Sequence, residues 1–242
     1  MAIAHVASEQ KQNFSKTCED YTGKFFKNGI NSIVLADGAG SKQFSATGAR
    51  SAVKVTGKLL SENFKHIASL LDDGANKRVA ELLIGTIIEE LKTKRYSVKR
   101  GIDQYASTLL FATTNGEVVI LGQLGDGGIV LSDEPPKLCF KPHQREFANE
   151  TVFTTSRNAI EHFNFHKMKL SDVDSIAIFS DGTEHSLVEK DTGNVAPAFN
   201  TMVSWLKNNP VGKVESALEQ NLLKSFVPRS NDDCSICLFT SC

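Results

Sequence analysis

Seven carboxylates stand in short, distinctive settings along this chain, and their type and spacing point to binding of a hard cation. Asp-Gly occurs four times, at Asp37-Gly38, Asp73-Gly74, Asp126-Gly127 and Asp181-Gly182. Alone, such a pair is a tight-turn signal, because both residues suit turn conformations. Three of the four, however, follow strand-like apolar runs: SIVLA before Asp37, VVILGQLG before Asp126 and SIAIFS before Asp181. A carboxylate at the mouth of a buried strand is held rigidly, and a glycine after it lets another segment come close. Asp73 lies between two helical stretches and reads as a turn only. Two further acidic pairs, Glu19-Asp20 and Asp232-Asp233, stand near strand boundaries. Gathered without a cation, these groups would repel and some would have to keep a proton. An all-oxygen set with room for water favours magnesium or manganese.

Positioning such groups takes rigid strands, and the apolar pattern supplies them. AIAHVAS opens the chain as a strand, and Ser32 to Asp37 is a short apolar run suited to burial on both faces. After the small-residue loop GAGS, the spacing of Ala49, Ala52, Val53, Leu59, Leu60 and Phe64 predicts a helix over about 44–64. Val79, Leu82, Leu83, Ile87 and Leu91 predict a second helix over 76–96. YASTLLFATT, the Asn115-Gly116 turn and EVVILGQLGD predict a hairpin, and GGIVLS a further strand that Pro135 and Pro136 follow. Residues 137–170 read as irregular surface structure with one strand near 151–155. SIAIFSD predicts another buried strand, three modest helices follow between 184 and 226, and CSICLFTS closes the chain as a strand. The first and last strands are expected to share a sheet. With no repeat or linker-like stretch, 1–242 reads as one α+β domain.

In this order the segments resemble the metal-dependent protein phosphatases of the 2C type, in a compact bacterial form. CEDYTG is similar to the family's early acidic motif and VLADGAGS to its Asp-Gly metal loop. ASTLLFA with LGDGGIVL is similar to the central strands bearing a Gly-Asp pair. IFSDGTEHSL resembles the later Asp-Gly motif, NDDCSICLF the terminal acidic motif, and ANETVFTTS a segment that compact bacterial members carry. The resemblance runs from about Ala7 to Phe239. It implies a four-layer αββα sandwich, two mostly antiparallel sheets flanked by helices, with metals at one end of the strands. It further implies that Asp37 bridges two ions, with the Gly38 carbonyl and Glu19 completing one shell and Asp20 behind them. Asp181 and Asp232 would serve the other ion, Asp126 with Asp181 a third and weaker one, and Asp233 would hold its loop. The implied reaction is hydrolysis of phosphoserine or phosphothreonine, with Asp37 and Asp181 at its centre. Paired Mg2+ or Mn2+ would generate hydroxide near neutral pH for in-line attack on phosphorus and neutralise the phosphoryl oxygens.

The chain also departs from the family pattern. Many members carry a phosphate-gripping arginine four residues before the early glutamate; here that position is Ser15, with Lys16 beside it. Lys16 is the phosphate-binding candidate, set against a solvated surface lysine, and it offers a point charge without the bidentate fork. Ala39 stands where eukaryotic members often have histidine, and His185 where many have another acid. His185 is a proton-donor candidate set against a structural role, and Glu184 a replacement acid for the third metal. Cys234 and Cys237 lie three apart in a strand and so face opposite sides, which favours core packing over zinc. His143, His162 and His166 read as surface residues, and Trp205, in a stripe with Met202 and Leu206, as core. Two rival functions are a catalytically silent phosphatase-like module that binds a phosphoprotein, and a hydrolase of small phosphorylated molecules. Retention of Glu19, Asp37, Asp181 and Asp232 weighs against the silent module.

Composition bounds the rest. A chain of 242 residues, 40% apolar and 23% charged, suits an ordinary globular core. A net charge of -1 gives no electrostatic basis for nucleic acid or an anionic membrane as the main partner. Five cysteines without framework spacing point to reduced thiols. No apolar run approaches the roughly 20 residues of a membrane span, and MAIAHVASEQ lacks a secretory pattern. The expectation is a cytoplasmic monomer acting on phosphorylated proteins, opposite a serine/threonine kinase.

Overall fold

The computed structural model of the chain describes residues 1–13, 17–94, 97–132, 135–140, 151–189 and 192–241. Its strands are β1 (Ala2–Val6), β2 (Tyr21–Lys27), β3 (Ile30–Ala36), β4 (Leu109–Thr114), β5 (Val118–Leu124), β6 (Gly128–Leu131), β7 (Lys137–Leu138), β8 (Asn164–Lys169), β9 (Ser175–Phe179) and β10 (Cys234–Thr240). Its α-helices are α1 (Glu9–Asn13), α2 (Ser45–Asp72), α3 (Asn76–Lys92), α4 (Ser97–Arg100), α5 (Asp181–Leu187), α6 (Ala198–Asn208) and α7 (Val211–Asn221). The strands form two five-stranded sheets, ordered β1-β10-β9-β6-β7 and β2-β3-β4-β5-β8, and their pairings are antiparallel. The first and last strands pair from Ala2 opposite Leu238 to Val6 opposite Cys234.

The apolar runs are continuous because the central strands are buried on both faces. In β3, Ile33 and Leu35 point between the sheets while Val34 and Ala36 meet the α2–α3 layer. In β9, Ile176 and Ile178 point between the sheets while Ala177 and Phe179 meet α6 and α7. Cys237 joins the layer between the sheets and Cys234 the outer layer, on opposite faces of β10 as their spacing requires. Helices outside, sheets inside, give four layers. In that frame Met202 and Leu206 are core and Trp205 packs against them, partly buried.

Three expectations need correction. The first helix runs to Asp72 because Ile67 continues its buried stripe, with a kink at Asn63 (φ -123°). Residues 151–155 make no strand: Thr154 N–H donates to the Ser107 carbonyl and Phe153 N–H to the Ser156 hydroxyl, so local turns replace a ladder. Residues 164–169, read as irregular, form β8, which pairs with β5 from Val118 opposite Lys169 to Gln123 opposite Asn164. Edge strands tolerate charged side chains, so NFHKMK lacks the apolar run that marks a central strand. His162 and His166 are exposed, while His143, Ser15 and Lys16 lie outside the described residues.

Candidate metal centre

The acidic residues come from both sheets and meet at one end of the sandwich. Asp37 directly follows β3; its N–H donates to the Thr108 hydroxyl (2.9 Å), and its carbonyl accepts from the Thr108 N–H (2.8 Å). The turn is thereby lashed to the start of β4. Asp126 sits in the tight crossover from β5 to β6, which carries the chain from one sheet to the other. Asp181 opens α5 directly after β9 and Ser180. Suitable ligand oxygens of Asp37, Asp126 and Asp181 all lie within 4.8 Å of one another. Glu19-Asp20 precedes β2 and Asp232-Asp233 precedes β10, next to these turns.

Close backbone packing explains the glycines. A Cβ on Gly38 would meet the Glu19 carbonyl oxygen at 2.9 Å, and one on Gly182 would meet the Asp233 carbonyl oxygen at 2.1 Å. Each Asp-Gly pair therefore lets a second acidic segment lie directly against it. Asp73-Gly74, by contrast, closes the turn after α2 and borders no such segment.

The supporting bonds are specific. Asp233 is fully buried and accepts from the Ser8 N–H (2.8 Å), the Glu19 N–H (2.6 Å) and the Lys11 ammonium (2.8 Å). Glu19 Oε1 accepts from the Ser45 hydroxyl (2.6 Å), and Oε2 lies 2.5 Å from the Lys11 ammonium. The Thr151 hydroxyl donates to Asp126 (2.5 Å). Lys11, Ser45 and Thr151 are site neighbours that sequence reasoning misses. Asp232, half-exposed, lies 3.8 Å from Lys11 and accepts from the Asp233 N–H (2.8 Å). His185 is exposed and lines a 340 Å³ groove with residues of the 186–197 segment, among which none of the seven acids appears.

The electrostatics are those of acids crowded together. Burial, then the Asp20, Asp181 and Asp232 charges, holds the Asp37 carboxyl well above its ordinary value. Burial likewise raises Asp20, with the neighbouring Asp233 charge adding to it, to about 7. Asp181 is raised by burial and by Asp126, and Asp232 by burial despite the Asp233 N–H and Lys11. Burial works against the charge on Lys11, but its bonds to Asp233 and Glu19 outweigh that and push its pKa up. Among the described residues, both Asp20 oxygens and Asp181 Oδ1 are buried without a hydrogen-bond partner. Buried carboxylate oxygens without partners are costly unless a cation or proton meets them. An all-oxygen donor set with orphaned carboxylates fits a hard divalent ion.

A stability prediction follows from the raised carboxyls. Each binds its proton more tightly folded than unfolded, so the metal-free fold loses stability as pH rises from 3.8 toward the raised values. Chelator-treated protein should therefore melt at higher temperature as pH falls from about 7 to about 5. His5, lowered below 6.5 chiefly by burial, opposes this gain in both metal states. Saturating manganese should flatten the carboxyl contribution, which parallel melting curves with and without metal would isolate.

A family model described as Protein phosphatase 2C matches residues 10–223. The chain belongs to the protein phosphatase 2C family. Its members are metal-dependent serine/threonine protein phosphatases, so this chain is an enzyme of the hydrolase class. Serine/threonine-protein phosphatase 3 of Escherichia coli (strain K12) is 25% identical to it over 215 residues, 86% of this chain and 82% of that protein. A bacterial serine phosphatase crystal structure matches with a TM-score of 0.65 at 15% identity, over 98% of this chain and 95% of that one. Serine/threonine phosphatase Stp1 from Staphylococcus aureus matches with 0.61 at 16% identity, over 98% and 94%. At these identities the two structures speak for the fold, which is the two-sheet sandwich described above. No helix among the described residues is long and apolar enough to cross a membrane.

Proposed function

We propose that this protein phosphatase 2C member hydrolyses phosphoserine and phosphothreonine in proteins at a binuclear magnesium or manganese centre. The observation that carries the reading is the convergence of Asp37, Asp126 and Asp181 within 4.8 Å, ringed by further acids and holding orphaned oxygens. Asp37 would bridge the ions, with Glu19 and the Gly38 carbonyl on one side and Asp181 and Asp232 on the other. Asp126 with Asp181 would hold a third, weaker ion. When bound, the divalent ions supply Lewis acidity that lowers the pKa of coordinated water and offsets charge on the phosphoryl oxygens.

The chain's own groups orient that set. Asp233, holding three donors, fixes the Glu19 backbone, and Asp20 would stand behind the ligands. Ser45 aims Glu19 and Thr151 aims Asp126. Lys16 remains the proposed phosphate contact. A cysteine nucleophile is disfavoured: burial raises the Cys18 thiol strongly and the Cys234 thiol to about 12. We read 1–242 as one phosphatase domain acting in the cytoplasm, as a monomer, opposite a serine/threonine kinase.

The test is phosphate release from a phosphothreonine peptide and from small phosphoesters, each with manganese, magnesium or chelator. The reading expects metal-dependent release from the peptide. Release from small metabolites alone would replace the substrate class, and none from any substrate would favour a silent phosphoprotein-binding module.

A further inference from the structure

Six of the seven acids fall into two differently neutralised groups. Asp37, Asp126 and Asp181 face one another, whereas Glu19, Asp232 and Asp233 are drawn around the Lys11 ammonium at 2.5, 3.8 and 2.8 Å. Lys11 thus stands against Glu19, the acid proposed above to complete one ion's shell.

Three features make that contact displaceable. Helix α1, which carries Lys11, contributes no fully buried residue to either core, so withdrawal of the side chain breaks no core packing. Asp233 keeps the Ser8 and Glu19 N–H donors when the ammonium moves, so it is not left unsatisfied. Glu19 keeps the Ser45 hydroxyl on its other oxygen and stays oriented. A divalent ion at Glu19 would meet a like charge at close range, in a site only partly open to screening water. Lys11 and its Glu19 partner are each less than one-fifth exposed.

We propose that Lys11 is a built-in competitor for the cation: its ammonium fills the Glu19 half of the centre until a divalent ion displaces it. This inference rests on the proposed binuclear reading. It makes the Glu19 half the weaker of the two, so the ions load in order and free metal concentration sets the fraction of doubly loaded enzyme. The same contact stabilises the metal-free protein, because it neutralises acids that would otherwise repel.

The test is calorimetric titration of chelator-treated full-length protein with manganese chloride, alongside melting of the metal-free form. Wild type should bind its first two ions in a tighter and a weaker event, both ahead of the third ion. Lys11→Met should tighten the weaker event by about tenfold or more and lower the metal-free melting temperature. Lys11→Arg, which keeps the charge, should stay near wild type in both readouts. If Lys11→Met does not fold without metal, Lys11→Gln takes its place, and rescue of folding by manganese counts in favour. Unchanged or weaker manganese binding in the neutral variant overturns the competitor role while leaving the binuclear reading intact. Absence of manganese binding by wild type overturns both.

Discussion

Asp37→Asn should lose phosphate release by about a thousandfold, roughly 4 kcal/mol of transition-state stabilisation, while the fold persists or gains stability. Asp37 is proposed to be shared by both ions, so its loss weakens both halves at once. The amide has the same shape but lacks the charge that two divalent ions require. The stability half distinguishes a functional carboxylate from a structural one. Asp37 is held well above its ordinary pKa by burial and by Asp20, Asp181 and Asp232. Removing its charge relieves that strain in the metal-free protein, so melting in chelator should rise or hold. Far-UV circular dichroism and a peptide assay over a manganese series would check both halves. Near-normal turnover at saturating manganese would remove Asp37 from the reaction.

The second large effect is expected at a residue with no polar atoms in its side chain. Gly182→Ala would place a methyl 2.1 Å from the Asp233 carbonyl and 3.3 Å from the Ser230 hydroxyl. Backbone cannot yield as a flexible side chain can, so α5 and the segment before β10 must separate. Overpacking of this kind costs about 1–3 kcal/mol, and here it also parts Asp181 from Asp232. Urea denaturation should show that loss, and manganese affinity should fall by about tenfold or more. Gly85→Ala is the control: nothing lies within 4 Å of a Cβ there, inside α3. It should gain about 0.5–1 kcal/mol through helix propensity and leave metal binding alone. Equal behaviour of the two variants would mean that the close approach at Gly182 does not position the acids.

These residues also show which parts of the molecule the sequence discloses. Strands β3 and β9 are legible because burial on both faces demands continuous apolar runs, β5 through its hairpin turn, and each stretch ends at an Asp-Gly. That pattern brought Asp37, Asp126 and Asp181 forward, and the structure gathers these three. Strand β8 was hidden because an edge strand carries lysines and histidine where a central strand would carry valine or isoleucine. Residues 151–155 look like a strand because Thr-Val-Phe-Thr-Thr has strand-like propensity, whereas bonds of Thr154 to Ser107 and local turns fix its path. Lys11 and Ser45 carry no signal, and Thr151 only the resemblance of its segment ANETVFTTS, since their partnerships depend on tertiary proximity. Ser45 meets Glu19 across 26 positions, Thr151 meets Asp126 across 25, and Lys11 meets Asp233 across 222. Only the folded sheets bring such pairs together, and no short-range periodicity records them.

The proposed centre has two divalent ions sharing Asp37 at the strand ends. Crystals grown with manganese, measured for its anomalous scattering, test it most directly. Two strong peaks joined by the Asp37 carboxylate are expected, one beside Glu19 and the Gly38 carbonyl, the other beside Asp181 and Asp232. A single ion held away from Asp37, or no peak among these acids at saturating manganese, would contradict it.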